Sequence, residues 1–275
     1  MKKHKQTWLA ALALAAVAVL QVPASAAITY SDGDIVLAVR ATAGVGNTQT
    51  YLVDIGNVSQ FTGVTGSINV NTLNSLGNLG ADLVATFGTG AGSSTEWYNR
   101  SDLSWSLFGK DSLSPASIWA SKAETTVGTP ASPWAALNTT ARNGTRNQIA
   151  SVTATFATAT ATANSTKAFI QTNALNSASY NYQVTNGGTA FGTLSQWTTS
   201  SLEGNFANGS AGTALDLFQF NSSSTPSNLG TFTISNSGVL TFTGTSAVPE
   251  PSRALFGMLG MAAMLLRRRR PAARA

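Results

Sequence analysis

The chain predicts a mainly β fold, a sandwich or jelly-roll-like body with one or two helices, and three observations carry that expectation. Runs rich in Val, Ile, Thr and aromatic residues, short enough for strands, are punctuated by clusters of Gly, Asn and Ser. Trp97, Trp105, Trp119, Trp134 and Trp197, with a spread of Phe and Tyr, supply enough aromatic area for a core. No repeat with a period of roughly 20–50 residues recurs, which argues against a solenoid or a propeller.

At the N-terminus, Lys2, Lys3 and Lys5 precede an uninterrupted apolar run over residues 8–20, and Pro23 breaks it before Ala24-Ser25-Ala26. This is the order of a secretory signal peptide. As a helix the run spans about 20 Å, short of the roughly 30 Å hydrocarbon core that a permanent anchor crosses. Residues 1–26 are therefore expected to be a removable signal helix. Ala24 and Ala26 are the small residues that signal peptidase accommodates, and Ala27 is the first residue of the exported form.

Residues 27–247 form the body, one domain by length. Residues 34–42 and 50–55 read as a hairpin across the Gly44-Val45-Gly46-Asn47 loop. Leu73, Leu76, Leu79 and Leu83 lie near helical spacing, which predicts a short helix over residues 71–87 weakened by Gly77 and Gly80. Leu103, Trp105 and Leu107 alternate as in a strand, with residues 117–122 as partner. Over residues 142–164, Ile149, Val152, Phe156 and Ala159 fit one helix face, while the Ala-Thr alternation from Thr153 suits a strand; the helix is favoured. Residues 215–220, 230–235 and 238–243 read as strands, the last two joined by a tight turn at Asn236-Ser237.

Charge and composition exclude several functions. The leader has three lysines and no acid, and residues 249–275 have six arginines against Glu250. The span between them holds seven basic and ten acidic residues. The basic balance of the whole chain belongs to its two ends, so it does not argue for a nucleic-acid partner. Cysteine is absent and the sole histidine, His4, lies in the leader. Ser-His-Asp catalysis, thiolate chemistry, and the usual zinc and haem ligand sets cannot be built from such a body.

What remains is carboxylate chemistry, as in two-carboxylate glycoside hydrolysis. Asp32, Asp34, Asp54, Asp82, Glu96, Asp102, Asp111, Glu124, Glu203 and Asp216 show no motif that pairs any two, and they read as solvated or loop-capping acids. Ser31-Asp32-Gly33-Asp34 lacks the spacing of a calcium loop and reads as a turn before the first strand. No catalytic residue, metal ligand or cofactor is assigned.

At the C-terminus, Pro249, Glu250 and Pro251 are followed by Ser252-Arg253, an apolar run over residues 254–266, and Arg267, Arg268, Arg269 and Arg270. The prolines hold an extended segment that a processing enzyme can grip as a strand. The apolar run suits a hydrophobic helix that enters the bilayer, and the arginines stop it on the cytoplasmic side. Residues 248–275 resemble the PEP-CTERM sorting signal of Gram-negative envelope bacteria. The chain departs from that pattern in the intrusion of Arg253 and in the shortness of its apolar run.

The resemblance implies export through the secretion translocon, transient anchoring in the inner membrane and recognition by an exosortase. Removal of the tail and delivery to the cell surface or extracellular matrix then follow, a route often linked to exopolysaccharide and biofilm formation. The body is expected to be a non-enzymatic structural or adhesive component. The alternative is a carbohydrate-binding protein, with tryptophans stacked on sugar rings, or a carboxylate-dependent glycan enzyme acting on the exopolysaccharide matrix.

Overall fold

The computed structural model describes residues 28–88, 96–126, 128–186, 191, 202–206 and 213–245. The first half of this body contains strands β1 (Asp34–Ala41), β2 (Gln49–Asn57), β3 (Ser67–Asn69), β4 (Leu103–Lys110) and β5 (Ile118–Ala123). The second half contains β6 (Ala168–Thr172), β7 (Gly204–Asn205), β8 (Leu215–Phe220), β9 (Ser227–Ile234) and β10 (Leu240–Gly244). Helices are few: α1 (Val70–Leu73), α2 (Leu79–Phe87), α3 (Thr139–Thr153) and α4 (Tyr180–Thr185). The mainly β expectation holds. The flanking signal helix and C-terminal hydrophobic helix fall outside the described residues, among which no helix is long and apolar enough to cross a membrane.

The two sheets of a sandwich or jelly roll are replaced by one. All ten strands join a single sheet in the order β3-β10-β9-β8-β5-β4-β1-β2-β6, with β7 on β4, and every pairing is antiparallel. The physical reason is the β5–β8 seam. Six residue pairs, from Ile118↔Phe220 to Ala123↔Leu215, stitch the N-terminal strands to the C-terminal ones where a sandwich would leave two edges. Twist then curls the continuous sheet into a half-barrel.

Both faces of that sheet are covered. Along β1, Ile35, Leu37 and Val39 belong to the concave core, whereas Val36 and Ala38 belong to the other, and such strands read as continuous apolar runs. Inside the curl, Phe61 packs edge-on against Phe232 and Phe242 with ring centroids 5.1 and 5.2 Å apart. Leu79, Leu83 and Phe87 of α2 close that side. On the convex face, Ile149 and Val152 of α3 and Tyr180 of α4 lie over Phe108, Phe169 and Phe218. Of residues 142–164, 142–153 are α-helical, as favoured, with Asn138 accepting from Ala141 N–H at 2.9 Å to start the helix, but Ala154–Thr158 tighten into a 3-10 turn and residues 159–164, Ala159 included, are not helical.

The leucine-spaced segment over residues 71–87 forms two helices, because Gly77 takes a positive φ of 75° between them. Gly80 breaks nothing. It lies where the β9–β10 turn crosses α2, and a Cβ there would overlap the Ser237 carbonyl oxygen. The β1–β2, β4–β5 and β9–β10 pairings all form as read from sequence. The last turn is slightly wider than expected, with Ser235 N–H bonded to Val239 O at 2.9 Å and Gly238 at a φ of 80°.

Candidate functional site

The residues singled out at the two ends, Ala24, Ala26 and Ala27 of the leader and Pro249, Glu250, Pro251, Arg267, Arg268, Arg269 and Arg270 of the tail, all lie outside the described residues. What the fold does place is where the body receives the one segment and hands over the other. The register fixes this. Ile35 pairs with Gly109, Lys110 with Ile118, Ile118 with Phe220, Gln219 with Ser227, and Gly230 with Gly244. Each step reverses direction, so the start of β1 and the end of β10 lie at the same end of the sheet.

A groove of about 560 Å³ opens at that end. Its walls are residues 28–32 and Lys110, and its floor is Ala150 and Thr153 at the end of α3 with Ala154 and Ala157 of the 3-10 turn that follows. Lys110 pairs with Asp32, a partly exposed carboxylate. The Tyr30 ring lies 5.6 Å from that of Phe156, and its hydroxyl donates to the Asp34 carbonyl at 3.3 Å. Burial, reinforced by Asp34, pushes the Tyr30 phenol far up, so it stays a neutral donor. Hydroxyls, one ion pair and a narrow apolar floor can hold a small hydrogen-bonding ligand.

Of the acids expected to be solvated or loop-capping, a definite set is not solvated. Asp34, Asp54, Asp82, Glu124, Glu203 and Asp216 are buried. Each has partners that hold it there. Asp34 accepts from Ser31 N–H at 2.9 Å and Asn57 at 3.2 Å, and Asp54 accepts from Gly56 N–H at 2.9 Å. Asp82 accepts from Tyr51 at 2.9 Å and Asn164 at 2.9 Å, Glu124 from Gly128 N–H at 2.8 Å, and Asp216 from Ala131 N–H and Thr231.

Burial pushes the Asp54 carboxyl up to about 6; the Gly56 N–H and Lys167 at 3.9 Å oppose the rise, and neighbouring Asp34 adds to it. Among the described residues no three of His, Cys, Asp and Glu gather as metal ligands. The turn at residues 31–34 is the ordinary one expected, with Gly33 at a φ of 93°.

Compared with protein-family models, with curated proteins and with solved structures, the chain has no match.

The tryptophans do not form a sugar-stacking face: Trp97, Trp105, Trp119 and Trp134 are at most 4% exposed, because the curled sheet uses them as core on its two sides. Trp197 lies outside the described residues. Sequence reading missed Tyr30, Lys110 and the buried acids. One signal was present, since Asp54 in the run Tyr51-Leu52-Val53-Asp54-Ile55 and Arg40 in β1 are charges set among apolar residues, which require buried partners.

Proposed function

We propose that the chain is an exported cell-surface or matrix protein, sorted and trimmed through its C-terminal tail by an exosortase, whose body is a non-enzymatic structural or adhesive component. The observation that carries this reading is the order Pro249-Glu250-Pro251, apolar run, and Arg267 to Arg270, set opposite a leader of signal-peptide order. The fold supports it in two ways. The body closes its core with neither cysteine nor histidine, and the described chain starts and ends at one end of the sheet, which suits a domain held at a membrane face by either terminal segment.

The test compares wild type with two variants in a host that carries an exosortase, by mass and membrane fractionation. Changing Pro249, Glu250 and Pro251 to Ala leaves the membrane segment but removes the recognition strand, so the full-length chain accumulates in the membrane. Changing Arg267, Arg268, Arg269 and Arg270 to Gln removes the cytoplasmic stop, and the unprocessed chain slips through. An alanine variant trimmed like wild type, or a wild type that keeps Arg274 at the cell surface, makes the tail an ordinary anchor.

The groove favours one second reading, a carbohydrate-binding body in the exopolysaccharide matrix, through Tyr30, Asp32 and Lys110. A glycan array with the exported form tests it. Binding that Lys110→Met abolishes supports the second reading, and a blank array leaves the structural one. The carboxylate-enzyme form of that alternative has less support, because Asp34 and Asp54 are both engaged by backbone N–H groups.

A further inference from the structure

Among the described residues three arginines are buried, and two of them face a carboxylate: Arg40 faces Glu203 at 2.7 Å, and Arg100 faces Asp102 at 2.6 Å. Arg142 is the most deeply buried of the three, at 2% exposure, and among the described residues it has no ion pair. Its Nε donates to Ala116 O at 3.1 Å and its Nη1 to Leu137 O at 2.8 Å. Carbonyl dipoles solvate a charge without cancelling it. Arg100 shows the difference, since it donates to the carbonyls of Ala43, Val45 and Phe87 and still keeps Asp102. No counter-ion for Arg142 can come from elsewhere in the body. All ten of the body's acids are described residues, and the one other acid in the chain, Glu250, belongs to the tail.

The surroundings add charge of the same sign. Helix α3 contains no Asp or Glu, and Arg146, one turn on from Arg142, donates to Leu113 O at 2.8 Å and to Asn147 Oδ1 at 3.2 Å. The two arginines thus clamp the loop before β5. That loop is folded on Asp111, whose Oδ1 accepts from Leu113 N–H at 3.1 Å and Ser117 N–H at 2.9 Å, and this carboxylate pairs with neither arginine. A second unmet group lies beside the first. Thr145 is fully buried on the same face of α3, and its hydroxyl has no hydrogen-bond partner among the described residues. In a helix such a side chain lies over the turn on its N-terminal side, here the turn that Arg142 begins. A buried threonine that bonds no carbonyl one turn back has its O–H free for a ligand.

A buried charge is strongly unfavourable without an opposite one, and arginine has no neutral form in proteins. We propose that Arg142 and Thr145 are the protein side of a structural anion site that takes one small monovalent anion of the chloride class. The ion accepts from the Arg142 guanidinium and the Thr145 hydroxyl. Burial sets its size, because walls that are 2% exposed or less exclude a sugar carboxylate, a sulfate or a lipid headgroup. Its charge follows from the single guanidinium. The ion fastens α3 to Leu137 and to the loop at Ala116, so it acts on the stability of the convex face, whatever the body binds.

The test follows urea unfolding of the purified full chain at fixed ionic strength, with chloride replacing gluconate, an anion too large to enter. From about 30 to about 300 mM chloride the folding equilibrium constant is expected to rise at least about threefold, towards the roughly tenfold limit for one bound ion. Arg142→Met removes the charge and is expected to flatten that dependence. Should that variant not fold, Thr145→Val keeps the side-chain shape without the hydroxyl and is expected to halve the rise or more. Crystals grown in bromide locate the ion, with an anomalous peak expected within hydrogen-bond reach of the Arg142 guanidinium. A wild type indifferent to chloride, a rise that the folded variant keeps in full, or the lack of a peak at Arg142 overturns the proposal. A peak there without any chloride dependence marks an adventitious ion only and overturns it too.

Discussion

Arg40 and Glu203, 163 residues apart in the chain, form a two-point ion pair inside the protein, Nε to Oε1 at 2.8 Å and Nη2 to Oε2 at 2.7 Å. Both side chains are about 5% exposed or less. The Tyr180 hydroxyl donates to Glu203 Oε1 at 2.7 Å and lies against Ser106 Oγ, and Asn181 accepts from Arg40 Nη1 at 3.3 Å. Burial, with Glu203 beside it, pushes the Tyr180 phenol well up and keeps it a donor. One carboxylate thereby ties strand β1, strand β4, helix α4 and the segment leading into β7 together.

The network yields the first prediction. Glu203→Gln leaves the Arg40 guanidinium buried with no counter-ion and is expected to cost about 3–5 kcal/mol in urea unfolding. The double change Arg40→Met with Glu203→Leu removes both charges and recovers most of the loss. A single variant as stable as wild type would mean that Arg40 reaches solvent in the folded protein.

The strands were legible in the sequence and their global arrangement was not, for a physical reason. Hairpins such as β1–β2 and β9–β10 are written locally, in alternation and in the turn residues between Ile234 and Leu240. The β5–β8 seam pairs residues 92 to 102 positions apart, and no local pattern separates it from an open edge. The candidate site divides the same way. The order of charge, apolar run and small or Pro-rich residues at the two ends is a linear pattern, readable without any fold. The groove of Tyr30, Asp32 and Lys110 exists only once β1, β4 and α3 converge.

Two glycines in helices give the second prediction, with opposite signs. Gly80 lies under the β9–β10 turn, so Gly80→Ala forces a methyl into the Ser237 carbonyl. Overpacking of roughly 1–3 kcal/mol outweighs the gain of about 1 kcal/mol in helix propensity. Gly144 lies in α3 with nothing within 4 Å of an added Cβ, and Gly144→Ala is expected to raise stability by about 0.5–1 kcal/mol. Thermal unfolding of the two variants should shift in opposite directions; a stabilised Gly80→Ala would show that the turn does not press on α2.

The third prediction concerns export. Ala24 and Ala26 fit beside a signal-peptidase cut, so the exported form is expected to begin at Ala27, one residue before the buried Ile28. Replacing Ala26 with a bulky residue such as Phe should leave the leader attached and the chain in the membrane fraction. N-terminal sequencing of the wild-type exported form that returns Met1 or Lys2 would contradict the assignment.

The fourth prediction is a pH dependence whose sign follows from Asp54. Its carboxyl stands near 3.8 in an unfolded chain and is pushed up to about 6 in the folded one, chiefly by burial. Between those values the folded state holds a proton that the unfolded state has released. The stability due to this group is therefore fully present below about pH 4, falls as the pH rises through 6, and is flat above it. A rise of about two units corresponds to roughly 3 kcal/mol lost by neutral pH. Asp102 cannot mimic this. Its hydrogen bond from Arg100 holds it below the usual carboxylate range, so its contribution is lost on acidification. Asp54→Asn keeps an acceptor for the Gly56 N–H and removes the titration, so its urea midpoint should vary much less than that of wild type between about pH 4 and 6.5 and exceed it at pH 7. Lys167→Met removes the cation 3.9 Å from Asp54 and should push the wild-type fall to higher pH. If wild type and Asp54→Asn run parallel across that interval, Asp54 is ionised throughout, and the groove end of the sheet admits more water than the burial of Asp54 implies.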